Sequence, residues 1–213
     1  MKVSNGKWVA NLENGKKIED LTIDDLIEGN LDEHNCSSNK VNSPEPIYCT
    51  FDGELKQGAE YVNGQYTYRY KQEGKYASSG LAWNNISNDG WGVQLTDKAS
   101  TDPVTSKLCT YINNKPIVST RWMFYNSQAT TLDVSNFDTS KVTNMNNMFF
   151  RSQATTLDLG NFDTSNVTDM SYMFRENQAK VLDVSNFDTS KVTYMNSMFY
   201  GSKATTIDVS NIN

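Results

Sequence analysis

The chain has 213 residues, 37% of them hydrophobic, a formal net charge of -6 and one histidine, and it is long enough for one large domain or two small ones. Residues 1–116 carry 12 basic and 16 acidic side chains and residues 117–213 carry 7 and 9, so neither half offers a basic surface for nucleic acid or for an anionic membrane. The sequence contains no apolar run of about 18 residues and no sorting signal, so no part of it is expected to span or enter a membrane.

The N-terminal half begins with two short predicted elements. Residues 7–12 form the first, and a polar Asn-Gly turn follows it. Thr22 and Asp25 then make a capping box at the start of a short helix, which Gly29 is placed to end. This helix is expected to belong to a lobe that combines helices with a sheet.

Four residues form a candidate metal site. His34 stands two residues before Cys36, and Cys49 and Cys109 complete the cysteine set. Three thiolates and one imidazole are sufficient for a tetrahedral structural zinc ion, and an odd number of cysteines leaves one thiol over if a disulfide forms. We therefore predict one bound zinc. Two alternatives stay open: a disulfide between Cys36 and Cys49 with Cys109 buried, or three unrelated thiols.

A tyrosine-rich hairpin is predicted next. Strands at 60–62 and 65–70 are joined by Asn63-Gly64, a pair that supplies the positive φ angles of a two-residue turn. Tyr66, Tyr68 and Tyr70 share one face of the second strand. They are expected to form one half of a sheet packed on a helix, with a platform for a glycan or a partner as the alternative.

A strand, an exposed loop and a helix complete this half. The strand is predicted at 90–95, and Trp83, Trp91 and the loop between them are expected to form an exposed region where recognition could occur. The helix starts at 101–103, where a proline occupies the first turn. Val104, Leu108 and Ile112 form its apolar face, and Pro116 ends it.

Residues 132–213 repeat one phrase with a period of 25 residues. The first copy, Leu-Asp-Val-Ser-Asn-Phe-Asp-Thr-Ser-Lys-Val-Thr, begins at Leu132, and related copies begin at Leu157, Leu182 and Ile207. A fixed period of this length is typical of stacked units that share one core. The repeats are 132–156, 157–181, 182–206 and a partial 207–213, after a degraded half-repeat at 117–131.

Each repeat is predicted to contain a short strand and a short helix. Leu132 and Val134 flank a polar residue, as in a strand. The side-chain oxygens of 138–140 are placed to cap a helix. The apolar face of that helix comprises Val142, Met145, Met148 and Phe149, and the methionines are expected to fill the core.

Two columns of polar residues recur with the same period. The first comprises Asp133, Asp158, Asp183 and Asp208, and the second comprises Asn136, Asn161, Asn186 and Asn211. Structural capping and asparagine ladders are the favoured interpretation. Calcium binding is the alternative, although the glycine-rich turns of calcium-binding repeats are missing.

The repeated phrase and its trailing Met-x-x-Met-Phe resemble the repeats of BspA-like surface proteins and mycoplasma lipoproteins, which are relatives of leucine-rich repeats. The resemblance covers three full copies. It implies a bacterial protein that is exported and displayed at the cell surface.

The N-terminal half resembles a different family. The phrase at 26–31, a helix followed by Gly-x-Leu, is similar to type IV pilin headgroups, as are the tyrosine hairpin and the later strand and helix. A second lobe with a Cys₃His zinc site is similar to a pilin of Gram-positive bacteria. The resemblance implies other pilin subunits in a filament as partners, and membrane attachment only through an apolar N-terminal helix that is absent from this sequence.

We therefore expect an α+β fold. A pilin-like lobe of helices and antiparallel sheet at 1–116 is packed against a lobe of stacked strand-loop-helix repeats at 117–213, a short leucine-rich-repeat-like solenoid. The function expected from these resemblances is the soluble ectodomain of a type IV pilin, extracellular and adhesive. The alternative is an anchored BspA-like surface protein that binds host matrix or other bacteria. No catalytic constellation is present in the sequence, so an enzyme is not expected.

Overall fold

The computed structural model of the chain describes the backbone of residues 2–4 and 7–9 and the complete residues 44–72 and 89–212. Met1–Asn42 and Ser43–Asn213 form two compact units. The strands are β1 (Lys2–Ser4), β2 (Lys7–Val9), β3 (Tyr48–Cys49), β4 (Glu60–Asn63), β5 (Tyr66–Tyr70), β6 (Trp91–Leu95), β7 (Tyr111–Ile112), β8 (Lys115–Ser119), β9 (Val181–Asp183) and β10 (Thr206–Asp208). In the first unit, β1 pairs antiparallel with β2. No described segment is a helix that is long and apolar enough to cross a membrane.

The predicted α+β class is wrong, because the described residues contain strands and turns and no helix. The helix predicted from residue 101 is an irregular segment in which Val104 forms a parallel bridge with Leu132. Leu108 and Ile112, which share its predicted apolar face, are nevertheless buried. An irregular segment that runs along the core can therefore bury apolar residues spaced four apart, as a helix would. The helix predicted at 22–29 lies outside the described residues.

Six strands of the second unit form one sheet in the order β3-β7-β8-β6-β5-β4. The predicted tyrosine hairpin is present as β4 and β5, which pair antiparallel. Its turn is Gly64-Gln65, one residue later than predicted, and Gly64 has a φ of 55° that glycine adopts without steric penalty. A second two-residue turn joins β7 to β8 through Asn113 and Asn114. Both have positive φ, as a type I′ turn requires.

The tyrosine stripe of β5 belongs to the core. Tyr66, Tyr68 and Tyr70 are all buried, which confirms that they pack in a core and do not form a ligand platform. The helix on which the sheet was expected to pack is not found among the described residues. Tyr68 also has a polar partner, because its Oη accepts a hydrogen bond from the backbone N–H of Cys109 at 3.0 Å. The stripe therefore joins the hairpin to the segment that precedes β7.

Trp91 was expected in an exposed recognition loop, and that expectation is wrong. Its side chain is fully buried, and its Nε1 donates to the carbonyl of Ile112 at 3.1 Å. Trp83 and the rest of the predicted loop lie outside the described residues.

The repeats form a solenoid in which each turn takes 25 residues. Two columns of parallel pairing join equivalent positions of successive turns. One contains the bridge between Thr131 and Thr156 and the pairing of β9 with β10. The other joins Ser119, Asn144, Asp169 and Tyr194 in succession. The predicted strand of each repeat is therefore reduced to a bridge or to three residues.

The helix predicted in each repeat is a series of overlapping turns. In the 157–181 repeat, the N–H of Met173 bonds to the carbonyl of Met170 at 3.2 Å, three residues back. The next N–H, that of Phe174, bonds to the carbonyl of Met198 in the following solenoid turn at 2.9 Å. The turn segments are 121–126, 146–151, 171–176 and 196–201, and the same alternation runs along the first three of them. It satisfies the backbone donors without a helix.

Phenylalanines stack through the interior of the solenoid. The stacked rings are Phe124, Phe149, Phe174 and Phe199, and successive ring centroids lie 5.4, 5.5 and 5.7 Å apart with interplanar angles of 14°, 4° and 5°. The methionine that precedes each of them is buried, so the prediction that methionine fills the core is confirmed.

The sheet covers the first turn of the solenoid. The N–H of Leu95 in β6 donates to the carbonyl of Met123 at 3.0 Å. The rings of Tyr66 and Phe137 meet edge to face, with centroids 6.0 Å apart. The sheet and the repeats therefore share one hydrophobic core.

Candidate functional site

The turn segments place large side chains on the outside of the solenoid. The Met-Phe pair of each segment belongs to the core, whereas the residues before and after the pair do not. These outer residues contact one another from turn to turn. We call this surface the aromatic–arginine face, and its residues are Arg121, Trp122, Tyr125, Phe150, Arg151, Tyr172, Arg175, Glu176 and Tyr200.

Arg175 lies at the centre of three aromatic rings. Its guanidinium carbon is 5.3 Å from the centroid of Phe150, 5.5 Å from that of Tyr172 and 4.9 Å from that of Tyr200. A guanidinium at such distances is attracted to the electron-rich ring faces and stacks on them. The three rings thus hold the planar cation in position across three successive solenoid turns.

Glu176 joins two arginines of the face. Its Oε2 accepts from Nε of Arg151 at 2.7 Å, and its Oε1 accepts from Nε of Arg175 at 3.3 Å. The hydrogen bond from Arg151 lowers the pKa of Glu176, and the same bond raises the pKa of Arg151. Glu176 and Arg151 are therefore charged at neutral pH. The ion pairs are near the surface, where such pairs contribute little to folding.

The face continues toward the sheet through packed rings. Tyr125 and Phe150 meet edge to face with centroids 5.2 Å apart, and the guanidinium of Arg121 lies 3.9 Å from the ring centroid of Trp122. Trp122 and Tyr125 are buried, whereas Tyr200 is 64% exposed. The accessible part of the face is therefore the part around Tyr200.

The aspartate column has a structural role. Oδ1 of Asp133 accepts from the N–H of Ser135 at 3.1 Å and from its hydroxyl at 2.5 Å. In the copy at Asp183, the hydroxyl of Ser185 is the main cause of a lowered carboxyl pKa. The favoured interpretation of this column as a cap is confirmed. The capped element is a turn of the Asx type, since the side chain bonds to the backbone two residues on.

The asparagine column forms the predicted ladder, with backbone carbonyls as acceptors. Nδ2 of Asn161 donates to the carbonyl of Ser135 one turn earlier at 2.5 Å. Nδ2 of Asn186 lies 3.1 Å from the carbonyl oxygens of both Leu159 and Phe162. The amides thus tie successive turns together at a position where the chain makes no strand.

The four residues of the predicted zinc site are only partly described. His34 and Cys36 lie outside the described residues. Cys49 and Cys109 form a disulfide, with Cα atoms 5.8 Å apart. This pairing differs from the alternative that joined Cys36 to Cys49. Within 44–72 and 89–212 no group of three or more His, Cys, Asp or Glu side chains could hold a metal ion, and the Cys₃His site stays a prediction.

Comparison with known proteins finds one family model that the repeat region matches. Residues 117–213 match the family described as "Mycoplasma protein of unknown function, DUF285". No curated protein and no solved structure matches the chain. The family match confirms the mycoplasma part of the predicted resemblance, for the repeat region. Nothing in the comparisons supports the resemblance to a type IV pilin.

The sequence interpretation missed the aromatic–arginine face, although a signal for it was present. One residue of each repeat follows directly after the Met-Phe pair, and in the four copies this residue is Tyr125, Phe150, Arg175 or Tyr200. A helix would have directed this position toward the edge of its apolar face. In a series of turns it lies on the side opposite the Phe stack, where Tyr125 is buried and Tyr200 is exposed. The four copies share a large side chain at this position, but not a single residue type.

Proposed function

We propose that this chain is the ectodomain of a bacterial cell-surface protein with a binding function and no catalytic one. The repeat solenoid would present the aromatic–arginine face to a macromolecule of the host matrix or of another bacterium. The observation that carries this proposal is the ordered set of rings and arginines on one side of the solenoid. Tyrosine, tryptophan and arginine are the residues in which binding energy is concentrated at protein interfaces.

The disulfide between Cys49 and Cys109 supports an exported protein. Disulfides persist in oxidising compartments outside the cytoplasm and are rare inside it. The match of residues 117–213 to a mycoplasma family is consistent with a surface repeat protein, which is the function that the BspA-like resemblance implies.

The location is tested by gold-labelled electron microscopy of the source bacterium, with antibody against this chain. We expect gold on the outer surface of the cell. Gold confined to the cytoplasm would contradict the proposal, and gold along thin filaments would favour a filament subunit instead.

The binding role is tested with beads that carry the purified chain. We expect the beads to adhere to immobilised matrix proteins or to other bacteria, and Tyr200→Ala to reduce adhesion because Tyr200 is the most accessible ring of the face. Val181→Thr is the matched control. Val181 is also exposed, and threonine occupies its position in three other turns, at Thr131, Thr156 and Thr206. Equal loss in both variants would contradict a role for the face.

A further inference from the structure

We infer that the part of the aromatic–arginine face around Arg175 binds an acidic segment of a partner protein, in which carboxylates are flanked by aromatic or apolar side chains. One carboxylate of that segment would pair with the terminal amino groups of Arg175. The inference rests on the proposed function and adds the chemistry of the partner.

The hydrogen bonding of Arg175 leaves its terminal amino groups available. Within the described residues its one hydrogen-bond acceptor is Oε1 of Glu176, which takes Nε. Nη1 and Nη2, the pair that binds a carboxylate in bidentate fashion, have no acceptor there. The rings of Phe150, Tyr172 and Tyr200 already fix the guanidinium plane. Little side-chain freedom therefore remains to be lost when a carboxylate binds.

The distribution of charge favours an anionic partner at this place. The chain as a whole has a net charge of -6, and residues 117–213 carry nine acidic side chains. All three arginines of these residues, Arg121, Arg151 and Arg175, belong to the face, whereas Glu176 is its one acidic member. The face is therefore a local positive region on an acidic molecule, and such a region steers and orients an acidic partner.

The rings favour a protein segment over a densely charged polyanion. The positive charge of the face is small, because two of its three arginines already pair with Glu176. A sulfated glycan that bound these arginines would also lie close to the acidic surface around them. Tyr172 and Tyr200 instead offer apolar ring surface with a polar hydroxyl, and this combination suits the side chains of a polypeptide. A moderately acidic segment gains from both features.

The test uses surface plasmon resonance with the intact chain and three immobilised polymers. They are a random copolymer of glutamate and tyrosine, a random copolymer of lysine and tyrosine, and heparin. We expect binding to the glutamate–tyrosine copolymer and a loss of about tenfold in affinity for Arg175→Gln, the size of one charge-assisted contact. Tyr200→Glu, which places a competing carboxylate beside Arg175, should weaken binding as well.

Lys141→Asn is the matched control. It removes an exposed cation from another part of the solenoid and introduces the residue that Asn166 supplies one turn later. Its affinity for the copolymer should equal that of the unaltered chain. Melting temperatures of all variants show that they are folded.

Three results would overturn the inference. The first is binding that neither Arg175→Gln nor Tyr200→Glu weakens, and the second is heparin binding tighter than that of the glutamate–tyrosine copolymer. The third is no binding to this copolymer while beads carrying the chain still adhere. In that third case the proposed function stands and the acidic partner does not. Gold labelling confined to the cytoplasm would instead contradict the proposed function itself.

Discussion

Seven non-glycine residues of the turn segments have a left-handed backbone, with φ between 52° and 59°. They are Trp122, Asn126, Asn147, Arg151, Tyr172, Glu176 and Ser197, and the equivalent position in the last turn is Gly201, with a φ of 67°. This conformation costs a residue with a Cβ atom about 1–2 kcal/mol. The solenoid tolerates the cost because the alternating hydrogen bonds of each segment require a turn at these positions.

Ser197 and Gly201 test this cost in one segment. Ser197→Gly should stabilise the fold by up to about 1 kcal/mol, since relief of the strain exceeds the entropy lost by a more flexible unfolded chain. Gly201→Ser should destabilise it by about 1–2 kcal/mol, and a Cβ there would lie 3.1 Å from Cγ of Glu176. Urea denaturation measures both, and equal effects of the two substitutions would contradict the argument.

Lys98 is a cation in a desolvated position between the sheet and the first solenoid turn. Its Nζ donates to the carbonyl of Trp122 at 2.7 Å and to Oε1 of Gln94 at 3.2 Å. Burial lowers the pKa of Lys98 to about 7. In the unfolded chain a lysine keeps a pKa of about 10.4.

The pH dependence of stability follows from these two pKa values. Between about pH 7 and pH 10 the unfolded chain retains a proton that the folded chain has released, so the free energy of unfolding contributed by Lys98 rises with pH. Below pH 7 both states are protonated, and the cost of burying the cation is present in full. Lys98→Met should therefore flatten the rise of stability between pH 7 and pH 10, as measured by denaturation at several pH values. Lys141→Met, at an exposed lysine, should leave the slope unchanged.

At the scale of the element, the turn segment buries the apolar side chains that sequence analysis assigned to a helix. Met145, Met148 and Phe149 would share one side of a helix, and they also share one side of the observed series of turns. All three side chains are buried as predicted. The spacing of apolar residues could not distinguish a helix from a series of turns. Glycine at the left-handed positions would have indicated turns, but these positions carry Asn147 and Arg151. The repeat period, the tyrosine hairpin and the buried methionines were predictable because they depend on local sequence or exact recurrence.

Two adjacent phenylalanines test which side of the segment faces the core. Phe149 is fully buried and stacks between Phe124 and Phe174, so Phe149→Ala should cost about 3–5 kcal/mol. Phe150 belongs to the aromatic–arginine face, and Phe150→Ala should cost about 1 kcal/mol or less. Chemical denaturation of the two variants checks the difference. Equal losses would mean that Phe150 is also part of the core, which the structure contradicts.

At the scale of the whole molecule, the sheet and the solenoid depend on long-range pairing that no local pattern encodes. β3 pairs in parallel with β7, and this pairing places Cys49 beside the segment that contains Cys109. The pairing of these cysteines could not be predicted from the sequence, since they are separated by 60 positions. The aromatic–arginine face differs from the disulfide, because its contacts between turns, such as those of Arg151 with Glu176 and of Arg175 with Phe150, join residues 25 positions apart and so follow the repeat period.

The disulfide gives the sharpest test of this architecture and of the zinc prediction together. Closing a loop of 60 residues should stabilise the fold by about 4 kcal/mol through the entropy of the unfolded chain, so the double variant Cys49→Ser and Cys109→Ser should lose about that amount. Thiol titration of the denatured, unreduced chain should find one thiol, since the chain has three cysteines and the disulfide takes two.

Elemental analysis of the same preparation separates the two uses of the cysteines. Three thiols with one zinc ion would mean that Cys49 and Cys109 are metal ligands together with His34 and Cys36, because zinc binds thiolates and not a disulfide. One thiol without zinc would remove the metal site. In that case Cys36→Ser should leave stability almost unchanged, whereas loss of a structural zinc ligand would destabilise the fold strongly, because binding of the ion is itself folding free energy.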